Sequence, residues 1–317
     1  MRRSLVLLVS FLVVISFIGC IQQEKPAEQQ QPQEEHEQWT AYNFENVVKP
    51  ATGNEGKIKS FSVIETYVEE DEIRKFEINS TYMGKENTEI KVRRMEIDIP
   101  TYNFIERNIS VWMECYKIKH RIRVVQAPED EHPDWCEIIA WIPTSKIEAI
   151  GTYLWICPKA EYLDSRGNFG KWSYYMNESM QDEMSNPPHG KMISYSPYTE
   201  GNFYGFDIWA LYGWYGWAWA WFGLFAKGGK YYLEEGSFTY TYGGAIYSYV
   251  CSSTVKNVGS YKFKAWEIKI RSSYGGETAE YKGIFSPSLP IPIYLKIGGR
   301  GEGKYYWEYE LVDIKLG

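Results

Sequence analysis

From about residue 56 the chain alternates polar residues with β-branched or aromatic ones. KIKSFSVIETYV, IRKFEINSTYM, TEIKVRRMEIDI and ISVWMECYKIKHRIRVV all carry this period of two. It is the mark of half-buried antiparallel strands. In the fourth segment Val111, Met113 and Cys115 give way to Ile118, Ile122 and Val124. The apolar set changes parity, which predicts a bulge or bend. Met83-Gly84-Lys85 and Pro100-Thr101-Tyr102-Asn103 read as turns, and CEIIAWIP and TYLWIC as further strands. Residues 160–205 lose the alternation and are rich in Gly, Asn, Ser, Pro and Tyr. After Gly228-Gly229 seven strands follow: KYYLEE, GSFTYTY, AIYSYVCSSTV, SYKFKAWEIKIRSS, AEYKGIFS, IPIYLKIGG and KYYWEYELVDIKL. The pattern predicts a mainly β fold, a large curved antiparallel sheet arranged as a half-barrel or a sandwich. An aromatic helical insertion occupies about 160–229.

Within that insertion, Ile208 to Phe225 reads IWALYGWYGWAWAWFGLF. As a helix it aligns Ala210, Trp214, Trp217, Trp221 and Leu224 in one stripe, beside a stripe of Gly213, Gly216, Ala220 and Gly223. Asp207 suits an N-cap, and Lys227 with Gly228 suits a C-terminus. Trp and Tyr run through its middle, whereas in a bilayer they favour the interfaces. The segment therefore reads as a helix lying against the sheet. Its rings either fill the core or form an aromatic surface for a ligand. The residues for that second role are Trp209, Tyr212, Trp214, Tyr215, Trp217, Trp219 and Trp221.

The N-terminus, MRRSLVLLVSFLVVISFIGC, has two arginines, an apolar run of signal-peptide length and a terminal Gly19-Cys20. It resembles the lipobox of prokaryotic lipoproteins, in which a small residue precedes the cysteine that is cleaved and lipidated. Gly19 and Cys20 match; Phe17 and Ile18 depart from the usual Leu and small residue. The alternative is an uncleaved signal anchor. Residues 21–38, IQQEKPAEQQQPQEEHEQ, have almost no apolar side chain to bury and read as a spacer. The expected organisation is a signal peptide over 1–19, a lipidated Cys20 with a linker to 40, and a β domain with its insertion over 41–317.

An exported domain changes the reading of its cysteines. Beyond Cys20 there remain Cys115, Cys136, Cys157 and Cys251, an even number that suggests two disulfides. Three connectivities are open, with Cys115–Cys136 and Cys157–Cys251 favoured because the first pair flanks one predicted hairpin. No two of these cysteines have zinc-site spacing. Asn79, Asn108 and Asn177 head glycosylation sequons.

The order of strands, helical element and late SPSLPIPIYLKI resembles the half-barrel carriers of bacterial lipoproteins and lipids. The late element covers Ser286 to Ile297, then Gly298 to Lys304, then Tyr305 to Leu316. The domain also looks like uncharacterised archaeal surface lipoproteins that share such an aromatic insertion. The resemblance implies a hydrophobic cavity between sheet and helical lid, and no catalytic residues.

Charge and motifs narrow the choice. A net charge of −7 with scattered basic residues argues against nucleic acid. Arg93-Arg94 and His120-Arg121, the densest basic places, read as solvated strand faces. Gly298 to Lys304 fits GxxxxGK, but Tyr305 replaces the Ser or Thr that would reach magnesium, and a strand follows. It reads as a hairpin turn. PEDEHPDWCE reads as an acidic hairpin loop. His36, His120, His132 and His189 make no metal spacing, and GxSxG is absent. The expectation is a binding protein, not an enzyme, with no cofactor and no metal. It is anchored to the outer face of the cytoplasmic membrane and holds an apolar or amphipathic ligand. A structural or adhesive surface protein is the alternative, a surface hydrolase the third reading.

Overall fold

A computed structural model describes residues 37–40, 43–127, 133–144, 157–201, 230–233, 235–300 and 304–317. Strands dominate: β1 (Glu37–Thr40), β2 (Ile58–Glu69), β3 (Glu72–Asp98), β4 (Asn103–Gln126), β5 (Trp135–Pro143), β6 (Lys159–Asp164), β7 (Phe169–Ser173) and β8 (Lys191–Gly201) precede β9 (Lys230–Leu233), β10 (Gly236–Tyr242), β11 (Ala245–Val258), β12 (Tyr261–Tyr274), β13 (Glu277–Phe285), β14 (Tyr294–Arg300) and β15 (Lys304–Leu316). One helix, α1 (Glu178–Ser185), is found among the described residues. Hydrogen bonding follows the order β10-β11-β12-β13-β14-β15-β2-β3-β4-β5-β6-β7-β8, with β1 and β9 paired separately. The predicted large antiparallel sheet is therefore present. The chain divides into two compact units: Met1–Ile58, Val63–Lys75 and Trp217–Gly317 in one, Lys59–Ser62 and Phe76–Gly216 in the other.

In the second unit the ladder closes. β3 pairs with β4 on one side and with β8 on the other, from Val92↔Pro197 to Asp98↔Lys191. Six strands, β3 to β8, thus form a ring, which removes free edges where it closes. Even-numbered residues of β3 turn inward: Phe76, Ile78, Ser80, Thr88, Ile90, Val92 and Arg94 are all buried. On β4 the buried set is Cys115 and then Tyr116, Ile118, His120 and Ile122. The parity switch falls between 115 and 116, where the sequence pattern predicts a bulge or bend.

Four expectations need correction. Met83-Gly84-Lys85 is no turn: β3 runs through it unbroken, with Gly84 at φ +96° absorbing the local distortion. Residues 159–201 are not an irregular insertion but β6, β7, α1 and β8 of the closed ring. Their strands are short and broken by Gly and Pro, so no long alternation accumulates. The apparent strand SPSLPIPIYLKI begins only at Tyr294, because its prolines lack the N–H a ladder needs. Arg93-Arg94 and His120-Arg121 are split by the pleat. Arg94 and His120 are buried, while Arg121 is exposed and Arg93 half-buried.

The first unit contains the meander β10 to β15 and residues 63–69 of β2. Gly243-Gly244 joins β10 to β11, and Gly275-Gly276 joins β12 to β13, all four at positive φ. Two-residue turns with both φ values positive match the twist of the flanking strands, and glycine adopts them freely. The β11–β12 turn reaches β15, where Gly259 N donates to Val312 O at 3.0 Å. The core gathers Phe44, Val48, Phe263, Tyr281, Phe285, Leu289, Ile291, Leu295, Tyr309 and Leu311. Gly283 must be glycine: a Cβ there would lie 2.4 Å from the Phe285 ring and 2.5 Å from the Tyr281 hydroxyl. At the GxxxxGK segment the antiparallel pairing of β14 with β15 reaches Arg300 opposite Lys304, and residues 301–303 lie outside the described residues.

Candidate functional site

The most perturbed carboxyl of the first unit is Glu65 on β2. It stands in phase with Phe61, Val63 and Tyr67, so the pleat turns it to the apolar side. None of its surface is accessible. Burial pushes its carboxyl up to about 8, although hydrogen bonds from Tyr67 and Trp307 oppose the shift. Tyr67 Oη donates to Oε2 at 3.2 Å. The Trp307 indole faces the same carboxyl, although neither its Nε1 nor Oε1 reaches full hydrogen-bond geometry. The Trp307 ring stands 6.5 Å from that of Tyr67 and 6.4 Å from that of Tyr309. Register places Trp307 opposite Ile297, and Ile297 opposite Tyr281. The result is an aromatic and aliphatic wall enclosing one acid, mostly neutral below pH 8.

The second unit holds two polar clusters. Trp141 sits in register between Lys117 and Lys159, whose ammonium groups lie 5.2 and 4.4 Å from its ring centroid. Its indole donates to Glu86, Lys117 reaches Glu86 at 3.1 Å, and Lys159 reaches Thr88 at 2.9 Å. Burial works against ionisation of Glu86, but Trp141 and Lys117 outweigh it and hold the carboxyl below its usual range. Every charge in this cluster is answered, so it is a structural clamp. In the other, Arg94 pairs with Glu183 of α1 at 2.5 Å and with Glu96 at 2.5 Å, while Tyr195 also donates to Glu183. These bonds raise the Arg94 guanidinium further and hold Glu183 low. They fasten α1, whose N-cap Asn177 accepts from Met180 N at 2.9 Å.

Ser80 Oγ lies 2.8 Å from His120 Nδ1, a pairing of the kind that activates a nucleophile. Both residues are sealed, and burial pushes the imidazole down to about 3. A hydroxyl so enclosed meets no substrate, and the pair satisfies two buried polar groups. No cluster of three or more metal-binding side chains occurs among the described residues. An open depression of about 650 Å³ lies where β4 and β5 diverge, but Arg121, Arg123 and Asp134 line it. It is not the apolar cavity expected of a carrier.

The predicted ligand residues Trp209, Tyr212, Trp214, Tyr215, Trp217, Trp219 and Trp221 lie outside the described residues, as do Cys20, His36 and His132. The predicted disulfides are not seen: no S–S bond joins Cys115, Cys136, Cys157 or Cys251, and all four are buried. Cys115 and Cys136 do sit on paired strands, but Cys115 faces Pro143 and Cys136 faces Ile122. At about 3.4 Å per residue, seven residues of offset (143 − 136) far exceed the reach of a disulfide. Burial pushes the thiols of Cys115 and Cys157 up to about 12. Among the sequon asparagines, Asn79 and Asn108 are exposed, while Asn177 is occupied as a helix cap. No helix among the described residues is long and apolar enough to cross a membrane.

Sequence reasoning passed over Glu65, though a signal exists: an acid in phase with Phe61 and Val63. Comparison with known protein families, with curated proteins and with solved structures finds no match.

Proposed function

We propose that this protein is a lipoprotein anchored through Cys20 to the outer face of the cytoplasmic membrane, and that its β region binds an apolar or amphipathic ligand. Binding is its work, with no reaction catalysed. The observation that carries this reading is Glu65. An acid enclosed by Tyr67, Trp307 and aliphatic residues, with one oxygen lacking a good partner, matches the make-up of small-molecule pockets: apolar walls and few convergent polar groups. The raised carboxyl stays neutral at physiological pH, and because it is closed to solvent an apolar ligand reaches it only when the aromatic side chains around it part.

The test has two arms. Fractionation of Cys20→Ser against the unaltered chain reads the anchor: the substituted chain leaves the membrane fraction, and its full retention contradicts lipidation. Titration of the purified chain with a long-chain alcohol, followed by Trp fluorescence, reads the ligand. Saturable quenching that weakens about tenfold in Glu65→Leu is expected. Identical curves for both proteins contradict the assignment of Glu65.

A further inference from the structure

The turn of the β3–β4 hairpin, Ile99 to Tyr102, and the residues after it are exposed although strongly apolar. Tyr102 is 83% accessible, Phe104 56%, Ile105 53% and Ile99 51%. No charged residue stands between Asp98 and Glu106. Met192 of β8, opposite Ile97, is also exposed and borders the patch. Such residues do not cluster on a water-facing hairpin end without a cost in hydration. The tip is nonetheless held in shape. Ile99 N donates to Gly190 O at 2.8 Å, the Thr101 hydroxyl bonds the Asp98 carboxylate, and Tyr102 turns the chain at φ +57°. The pairing of β3 with β8 runs up to Asp98↔Lys191, so a firm ladder supports the exposed end.

We infer that this tip inserts into the interface of the lipid bilayer to which the chain is anchored, an inference that rests on the lipoprotein reading above. The composition fits a bilayer. Tyr and Phe partition to the headgroup level, and isoleucine enters the acyl boundary. The absence of basic residues at the tip means that neutral lipid suffices and that salt has little effect. The anchor makes this contact intramolecular, so a few side chains are enough to matter. Cys20 to His36 would span at most about 60 Å fully extended, which keeps the domain near the surface. The inserted hairpin then fixes an orientation that a single N-terminal lipid cannot.

The experiment uses the full chain reconstituted in phosphatidylcholine vesicles. Tyr102→Cys carries an environment-sensitive nitrobenzoxadiazole label, and Asn87→Cys, on the exposed face of β3, is the control. Buried native thiols leave the introduced cysteine as the reactive one. Lipid spin-labelled near the headgroup should quench the label at position 102 at least threefold more than at position 87, unchanged in 0.5 M NaCl. Joint replacement of Ile99, Phe104 and Ile105 by Ser should abolish the difference. Equal quenching at both positions in vesicle-bound chain overturns the inference and leaves the anchor standing. Quenching that persists when Cys20→Ser is introduced upholds the tip and sinks the lipidation. A chain absent from the vesicles altogether sinks both. A label buried only in native membranes, and not in pure lipid, assigns the tip to a protein partner and overturns the proposal.

Discussion

At Glu65 folding and protonation are coupled. The folded carboxyl titrates near 8 against about 4.5 unfolded, so between those values the unfolded chain ionises while the folded one stays protonated. Glu65 therefore contributes stability that is fully present below pH 4.5 and lost as pH rises through 8, up to roughly 5 kcal/mol. His120 has the opposite sign: held near 3 when folded against 6.5 unfolded, it lowers stability as pH falls from 6.5 to 3. Urea denaturation across pH should show Glu65→Gln flattening the alkaline limb and His120→Asn the acid limb. Unchanged limbs in both variants contradict the assigned environments. The cysteines give a second prediction. The thiols of Cys115 and Cys157, raised to about 12, are unreactive at pH 7, and Cys136 and Cys251 are shielded by burial, so iodoacetamide should modify all four only after denaturation. Modification of only two, or none, in denaturant without reductant would mean that disulfides form after all.

Among the elements, β3 and α1 show what alternation reveals and what it hides. The switch of parity on β4 was readable because apolar residues mark both phases. So were the seven C-terminal strands. What misled was local chemistry: glycine at 84 reads as a turn until long-range pairing carries the strand through it. The buried polar residues had a signature that a count of charges misses. Glu65, Ser80, Arg94 and His120 each stand in phase with apolar neighbours, Phe61 and Val63, Ile78, Val92, and Ile118 and Ile122 respectively. Arg94 also decides how α1 is held. Replacing it by Met removes the ion pairs to Glu183 and Glu96 and should cost about 2 kcal/mol, less than a wholly buried pair because Glu183 is partly exposed. Asn177→Ala should cost about 1 kcal/mol through its lost cap. Thermal denaturation checks both; an Arg94→Met chain as stable as the original would show that α1 needs no such tether.

The whole molecule, as proposed, combines three things: a lipid anchor, a β region with an acid facing an apolar wall, and an exposed hairpin tip. The proposed anchor rests on the sequence, on the length of its apolar run and on Gly19-Cys20. The other two depend on which residues the ladders bring together, and no local pattern contains that. Mass spectrometry of the purified full chain decides whether a ligand is bound. Extraction under denaturing conditions should release an apolar or amphipathic molecule in near-stoichiometric amount from the unaltered protein, and several-fold less from Glu65→Leu. A protein that releases nothing, and whose Trp fluorescence no lipid alters, would contradict the account.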